Sequence, residues 1–248
     1  MTRKSHSSIQ NPVTESQLVE QALQCLEEAD TFTAIEFLNQ QPKPLVVATA
    51  YNELVKDLYW QKRNIAQMAA LCRAGIQFCL DQAEKTALSD RNEATDLRSA
   101  AKQLAYNLAS FTWPGWDEPQ IELDPSQIAD GLDAARLNLR LALELDKGDL
   151  ALSRAYWMLA GHLLAAHAAT GAEATYRRAA LYADRASEDA DQLLALAFAA
   201  LSRWTLEPES DDCRQAFKIA RENLASLAEG PAYQAQVDGA RRVFFSSQ

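Results

Sequence analysis

The chain has 248 residues, 48% of them hydrophobic, with only 8 Gly and 8 Pro and a net charge of −10. That suffices for one sizeable core. The acid excess argues against a general nucleic-acid or anionic-membrane binder, whose affinity comes from Lys and Arg meeting phosphates; no apolar run of about 18 residues offers a spanning helix.

Ala, Leu, Glu, Gln and Arg dominate and strand-like alternation is missing, so the chain reads as all-α. Residues 1–13 carry basic residues without an apolar stretch behind them, so the expectation is a short disordered lead rather than a signal peptide. One helical domain is expected over 14–248. Thr14 opens the first helix, with Gln17 placed to close a capping box. Helices are predicted over 14–29, 32–40, 44–60 and 63–85, the second ending at the Gln40–Pro44 stretch QQPKP. Asp90, with Glu93 behind it, starts 91–112. Then comes WPGWDEPQIELDPS, a loop at 113–126. Asp124, Pro125 and Gln127 restart the helix at 125–146, which stops at Asp-Lys-Gly-Asp. Helices follow over 149–169, 172–188 and 190–206. Ser210 caps 211–228 and a last segment spans 231–245.

Three stretches resemble one another: AYNELVKDLYW from Ala50, AYNLASFTW from Ala105 and AYWMLAGHLLA from Ala155. Each precedes a helix with small residues at helical spacing, such as AARLNLRLALELD with Ala135, Leu139 and Ala142. Trp157, Ala160, Gly161 and Leu164, and likewise Tyr51, Leu54, Val55 and Leu58, recur at the same spacing, each set led by an aromatic residue. The pattern resembles the tetratricopeptide repeat, a helix–turn–helix unit. Its spacing here exceeds the family's, its motifs are degenerate, and the 113–126 loop is an insertion between two helices of one unit. The resemblance implies antiparallel hairpins in a right-handed superhelix, the alternative being an irregular helical bundle. Gly161, Ala109, Ala135, Ala142, Ala179 and Ala186 would then let helices cross closely.

The resemblance further implies a concave groove holding a peptide or partner protein. Asn52, Tyr106 and Asn107 would fall along it, with Met158, and one turn further Lys56, Ser110, His162 and Arg203. Amides can pair with a peptide backbone. Lys56, His162 and Arg203 could meet an acidic motif or a C-terminal carboxylate. Ordinary solvated helix positions, with His162 a satisfied histidine, explain the same residues. Trp113 and Trp116 flank a Pro-Gly turn and either pack or anchor a partner. The expected split is Trp113 inside and Trp116 partly out. Phe244 and Phe245 pack or promote self-association, so a homo-oligomer stays open.

Catalytic signatures are sparse. His162 and His167 lie five apart, on different faces of a helix, and neither follows a Glu by three or four residues. No Gly-rich phosphate loop or nucleophile elbow occurs. The expectation is a non-enzyme without cofactor or metal, binding protein partners in the cytoplasm. The alternative is an all-α enzyme or small-ligand binder with a pocket near His162, Tyr106 and Trp157. Cys25, Cys72, Cys79 and Cys213 form no CxxC and read as buried free thiols of a reducing compartment.

Overall fold

The structure, a computed structural model, describes residues 14–246; the lead expected at 1–13 lies outside them. It is all-α, with no strand among the described residues. The helices are α1 (Glu15–Glu28), α2 (Thr31–Asn39), α3 (Pro44–Trp60), α4 (Ile65–Thr86), α5 (Arg91–Phe111), α6 (Pro125–Glu144), α7 (Asp149–Ala165), α8 (Ala169–Arg185), α9 (Asp189–Leu206), α10 (Asp211–Asn223) and α11 (Gly230–Ser246). Single 3-10 turns occur at Pro114–Trp116 and Leu224–Ser226. No helix among the described residues is long and apolar enough to cross a membrane.

The start signals act as their chemistry requires. Thr14 and Asp124 each form a full capping box, with Gln17 and Gln127 reaching back to the cap N–H. Asp90 accepts from the Asn92 and Glu93 amides, and Ser210 from Cys213. The stops were less legible. α7 ends at Ala165 and α8 starts at Ala169, four and three residues earlier than the expected bounds at 169 and 172. His167 makes that turn at φ 58°, with the Ala168 amide returning to the Leu163 carbonyl. Asp146 (φ 46°) and Ser187 (φ 58°) repeat the motif, with Lys147 returning to Ala142 and Glu188 to Ala183. These are helix-ending turns with a left-handed residue, a place usually given to glycine. α10 stops at Asn223, where its expected final turn is replaced by the 3-10 turn.

Consecutive helices pack on one another from α3 to α10. In addition α1 touches α3, α3 touches α5, α5 touches α7, α7 touches α9, and α9 touches α11. α2 also touches α4, but no comparable contact joins α4 to α6 or α6 to α8, so from α5 to α9 the odd-numbered helices form the tighter layer. Ala109, Ala135, Ala142 and Ala179 are fully buried at the crossings, as small residues must be for backbones to approach. Ala186 is instead the half-buried C-cap of α8, and Ala183 takes the buried place one turn earlier. Four free thiols are present; Cys72, Cys79 and Cys213 are buried and Cys25 is half-buried. Burial pushes the Cys79 thiol up to about 12, and Cys72 is also raised, so both are protonated and inert.

Candidate binding site at the inserted loop

α5 stops at Phe111 because Thr112 caps it and Pro114 cannot continue it. Trp113 then turns inward and is 1% exposed. Its ring meets Trp116 at 4.8 Å and 87° and Trp157 at 5.1 Å and 71°, edge-on geometries that aromatic quadrupoles favour, and lies tilted against Phe198 at 5.7 Å. Phe244 of α11 lies 6.4 Å away. The indole fits because α7 carries glycine beneath it. A Cβ at Gly161 would lie 2.8 Å from Trp113 Nε1 and 3.3 Å from the Tyr176 hydroxyl oxygen. Gly161 therefore makes room for the inserted loop as well as for the α7–α8 crossing.

Trp116 stays at the surface, its Nε1–H donating to the Ser110 carbonyl at 2.7 Å. Asp117, at φ 54°, ends the turn, and its carboxylate receives Arg242 of α11 at 2.7 Å. Thus α5, the loop, α7, α9 and α11 converge around a cavity of about 150 Å³. Tyr106, Trp116 and Trp157 give it aromatic walls; Arg154, Asp191 and Gln236 give it a polar edge. Arg154 holds Asp191 with two bonds of 3.0 and 3.3 Å. The Asp191 hydrogen bond raises the Arg154 pKa, and burial raises that of the Tyr106 phenol. Lys102, one turn before Tyr106, lies 5.7 Å from that ring. Its pKa is lowered by burial first, then by Lys147 and Arg154. No carboxylate pairs with Lys102 among the described residues.

The structure brings Tyr106 and Trp116 together with the Ser110 carbonyl, and it disperses the rest of the expected set. Asn107 is buried, donating to Asn52 Oδ1 at 2.7 Å and accepting from Gln103 at 3.1 Å. Those two asparagines tie α3 to α5 rather than present amides to a peptide. Lys56 pairs with Glu53 at 2.8 Å, and Arg203 with Glu207 at 2.6 Å. His162 is 0% exposed. Its Nε2–H donates to the Ala109 carbonyl at 2.8 Å, since a carbonyl can only accept. Nδ1 is buried without a partner, and burial lowers the pKa to about 4. A Cβ at Gly131 would lie 2.3 Å from the His162 ring, so α6 crosses there on glycine. The expected column of positive charge therefore does not form: His162 is neutral and inside, and Trp113 is inside with it.

Lys102, Arg154 and Asp191 escaped the sequence reading. On α7 the cavity is lined by Ser153, Arg154 and Trp157, of which only Arg154 is exposed, whereas Met158 is fully buried. One residue is about 100° of helix rotation, so an alignment off by one turns the face away. The Lys102–Tyr106 spacing of four was the available signal. Among the described residues no group of three or more His, Cys, Asp or Glu side chains is placed to hold a metal. The chain matches no protein-family model and no curated protein.

Proposed function

We propose that the chain is a non-catalytic interaction module, a tetratricopeptide-like right-handed array of hairpins working in the cytoplasm. The odd-numbered helix layer and the inserted loop bind a peptide segment of a protein partner, rather than nucleic acid or membrane. The segment places one ring-sized side chain between Tyr106 and Trp116 and a carboxylate, from an acidic motif or a chain terminus, at Lys102 and Arg154. One observation carries this reading: Lys102 sits half-buried among like charges with no carboxylate of its own, beside an aromatic cavity of about 150 Å³. An anion relieves that crowding, and aromatic walls give a desolvated anchor. Closer contacts among odd-numbered helices support a concave odd-helix face. The small-ligand or enzyme alternative draws on the same cavity, but His162 does not line it and the Ser153 hydroxyl is committed to the Ala179 carbonyl at 2.9 Å.

An array of random peptides in free-acid and amide forms tests the reading. Acidic sequences bearing an aromatic residue should be retained, and Lys102→Glu should weaken them about tenfold or more, the scale of a lost charge-assisted bond. An array without acidic preference, or equal binding by the variant, overturns it.

A further inference from the structure

The net charge is not evenly spread. Between Thr14 and Gln41 stand Glu15, Glu20, Glu27, Glu28, Asp30 and Glu36, with no Lys or Arg; this is −6 of the total −10. The acids frame a groove on α1 and α3, lined by Glu15, Glu20, Glu27 and Glu53 and floored by Val19 and Leu23. At the other end of the packing order, α10 and α11 frame a cleft of about 410 Å³. Arg214, Lys218, Arg221, Arg241 and Arg242 surround it, with Asp238 as the only acid in its wall and Trp204 and Phe217 as floor. Arg221 is held by Asp238 at 2.8 and 2.6 Å and Arg242 by Asp117 at 2.7 Å, while Arg214 and Lys218 use acids at the rim. Arg214 pairs with Asp211, and Lys218 reaches Glu222 at 3.9 Å, all four side chains more than half exposed. Such exposed pairs contribute little and exchange readily. Glu20 on one surface and Arg241 on the other have no ion-pair partner among the described residues.

We propose that the acidic groove of α1 and α3 receives α10 of a second copy of this chain, giving head-to-tail association. Geometry and charge agree. Arg214, Lys218 and Arg221 fall at i, i+4 and i+7, one ridge of α10. Glu20 and Glu27 are likewise seven apart on α1, a rise of about 10.5 Å that matches the spacing of Arg214 and Arg221. Glu20 is unpaired among the described residues, and Glu27 meets Lys62 at 3.2 Å in an exposed pair that an incoming cation can replace. A ridge laid in an interhelical groove is the ordinary way helices pack. Arg241, beside the ridge on α11, is then placed to meet Glu20. The contact joins two different surfaces, so a pair leaves one groove and one ridge free, and the assembly grows or closes as a ring. These surfaces are separate from the Tyr106 cavity, so the proposal stands or falls independently of the peptide reading.

Sedimentation velocity of the full chain, over a concentration series, tests it. At about 50 mM salt the sedimentation coefficient should rise with concentration, and at about 500 mM the rise should vanish, because screening shortens the reach of exposed charge. Glu20→Arg and Arg241→Glu, each unpaired and melting as the wild type does, should weaken association about tenfold or more. An equimolar mixture of the two variants should restore it, since each reversed surface then meets its complement. A wild type that stays monomeric at low salt overturns the proposal. So does association that neither reversal changes, or that the mixture fails to rescue. If the wild type is monomeric, a labelled peptide of residues 1–13, basic through Arg3 and Lys4, that binds the groove would replace the second copy as its occupant.

Discussion

The connection from α5 to α6 and those joining α6, α7, α8 and α9 do the same job by different means. The three short turns are self-contained. Each puts one residue, Asp146, His167 or Ser187, in the left-handed region and closes with a return hydrogen bond to its own helix. The longer connection has one such residue, Asp117, and is otherwise held from outside. Trp113 lies against rings from α7, α9 and α11, and Asp117 against Arg242 of α11. Short turns set the path of the chain locally. The insertion has its path set by helices that come much later in sequence, and it fastens them in return.

The contrast is sharpest at Trp113. Trp113→Ala should cost about 3–5 kcal/mol, the range for truncating a buried aromatic side chain, read as a fall in the urea midpoint. Ser187→Gly, in a short turn, should stay within about 1 kcal/mol, because glycine accepts the left-handed backbone and loses mainly unfolded-state entropy. Equal effects at the two sites would break the distinction between a turn made locally and a loop held by packing.

His162 extends the comparison to pH, because it supports the end of α5 from which the insertion leaves. Its folded pKa of about 4 lies below the ordinary 6.5, and the cause is burial. The unfolded chain therefore binds a proton between those values while the folded chain does not, and stability rises with pH across that window. The contribution is complete above about pH 6.5 and declines as pH falls toward 4. Between pH 7 and 5 the loss should be about 2 kcal/mol. Urea midpoints of the wild type and His162→Gln at each pH isolate it, since the other titrating groups are shared. A wild-type slope matched by the variant would show that the imidazole accepts a proton in place.

Much of this architecture was written in local chemistry. The capping residues Thr14, Asp90, Asp124 and Ser210 announce helix starts because the signal is one side chain next to its own amides. The turn at His167 was not announced, because a non-glycine residue in the left-handed region leaves no composition signal. The site was legible in part, and the reason is again locality. Tyr106 and Trp116 stand out as aromatics near a break, and both line the cavity. Lys102, Arg154 and Asp191 belong to three different helices, and only packing brings their charges together. His162 looked like a groove residue, yet only the fold shows that it points toward the Ala109 carbonyl.

The smallest expected effect asks which part of the external hold matters more, the ring cluster or the ion pair. Arg242 and Asp117 have side chains 59% and 36% exposed, so their attraction is screened and offset by side-chain ordering. Arg242→Ala should therefore lower stability, read from the urea midpoint, by no more than about 1 kcal/mol, well below Trp113→Ala. The loop tip should respond differently from the whole. With Asp117 released, the tip keeps the Trp113 anchor but loses its tie to α11. Amides after Trp116 should then exchange with solvent faster while those in α5 and α7 keep their protection. Raising the salt concentration on the wild type should move exchange the same way, and leave the variant unmoved. If Arg242→Ala instead lowers the midpoint as far as Trp113→Ala does, the tie at Asp117 rather than the indole fixes the insertion, and α11 is the element on which the loop depends.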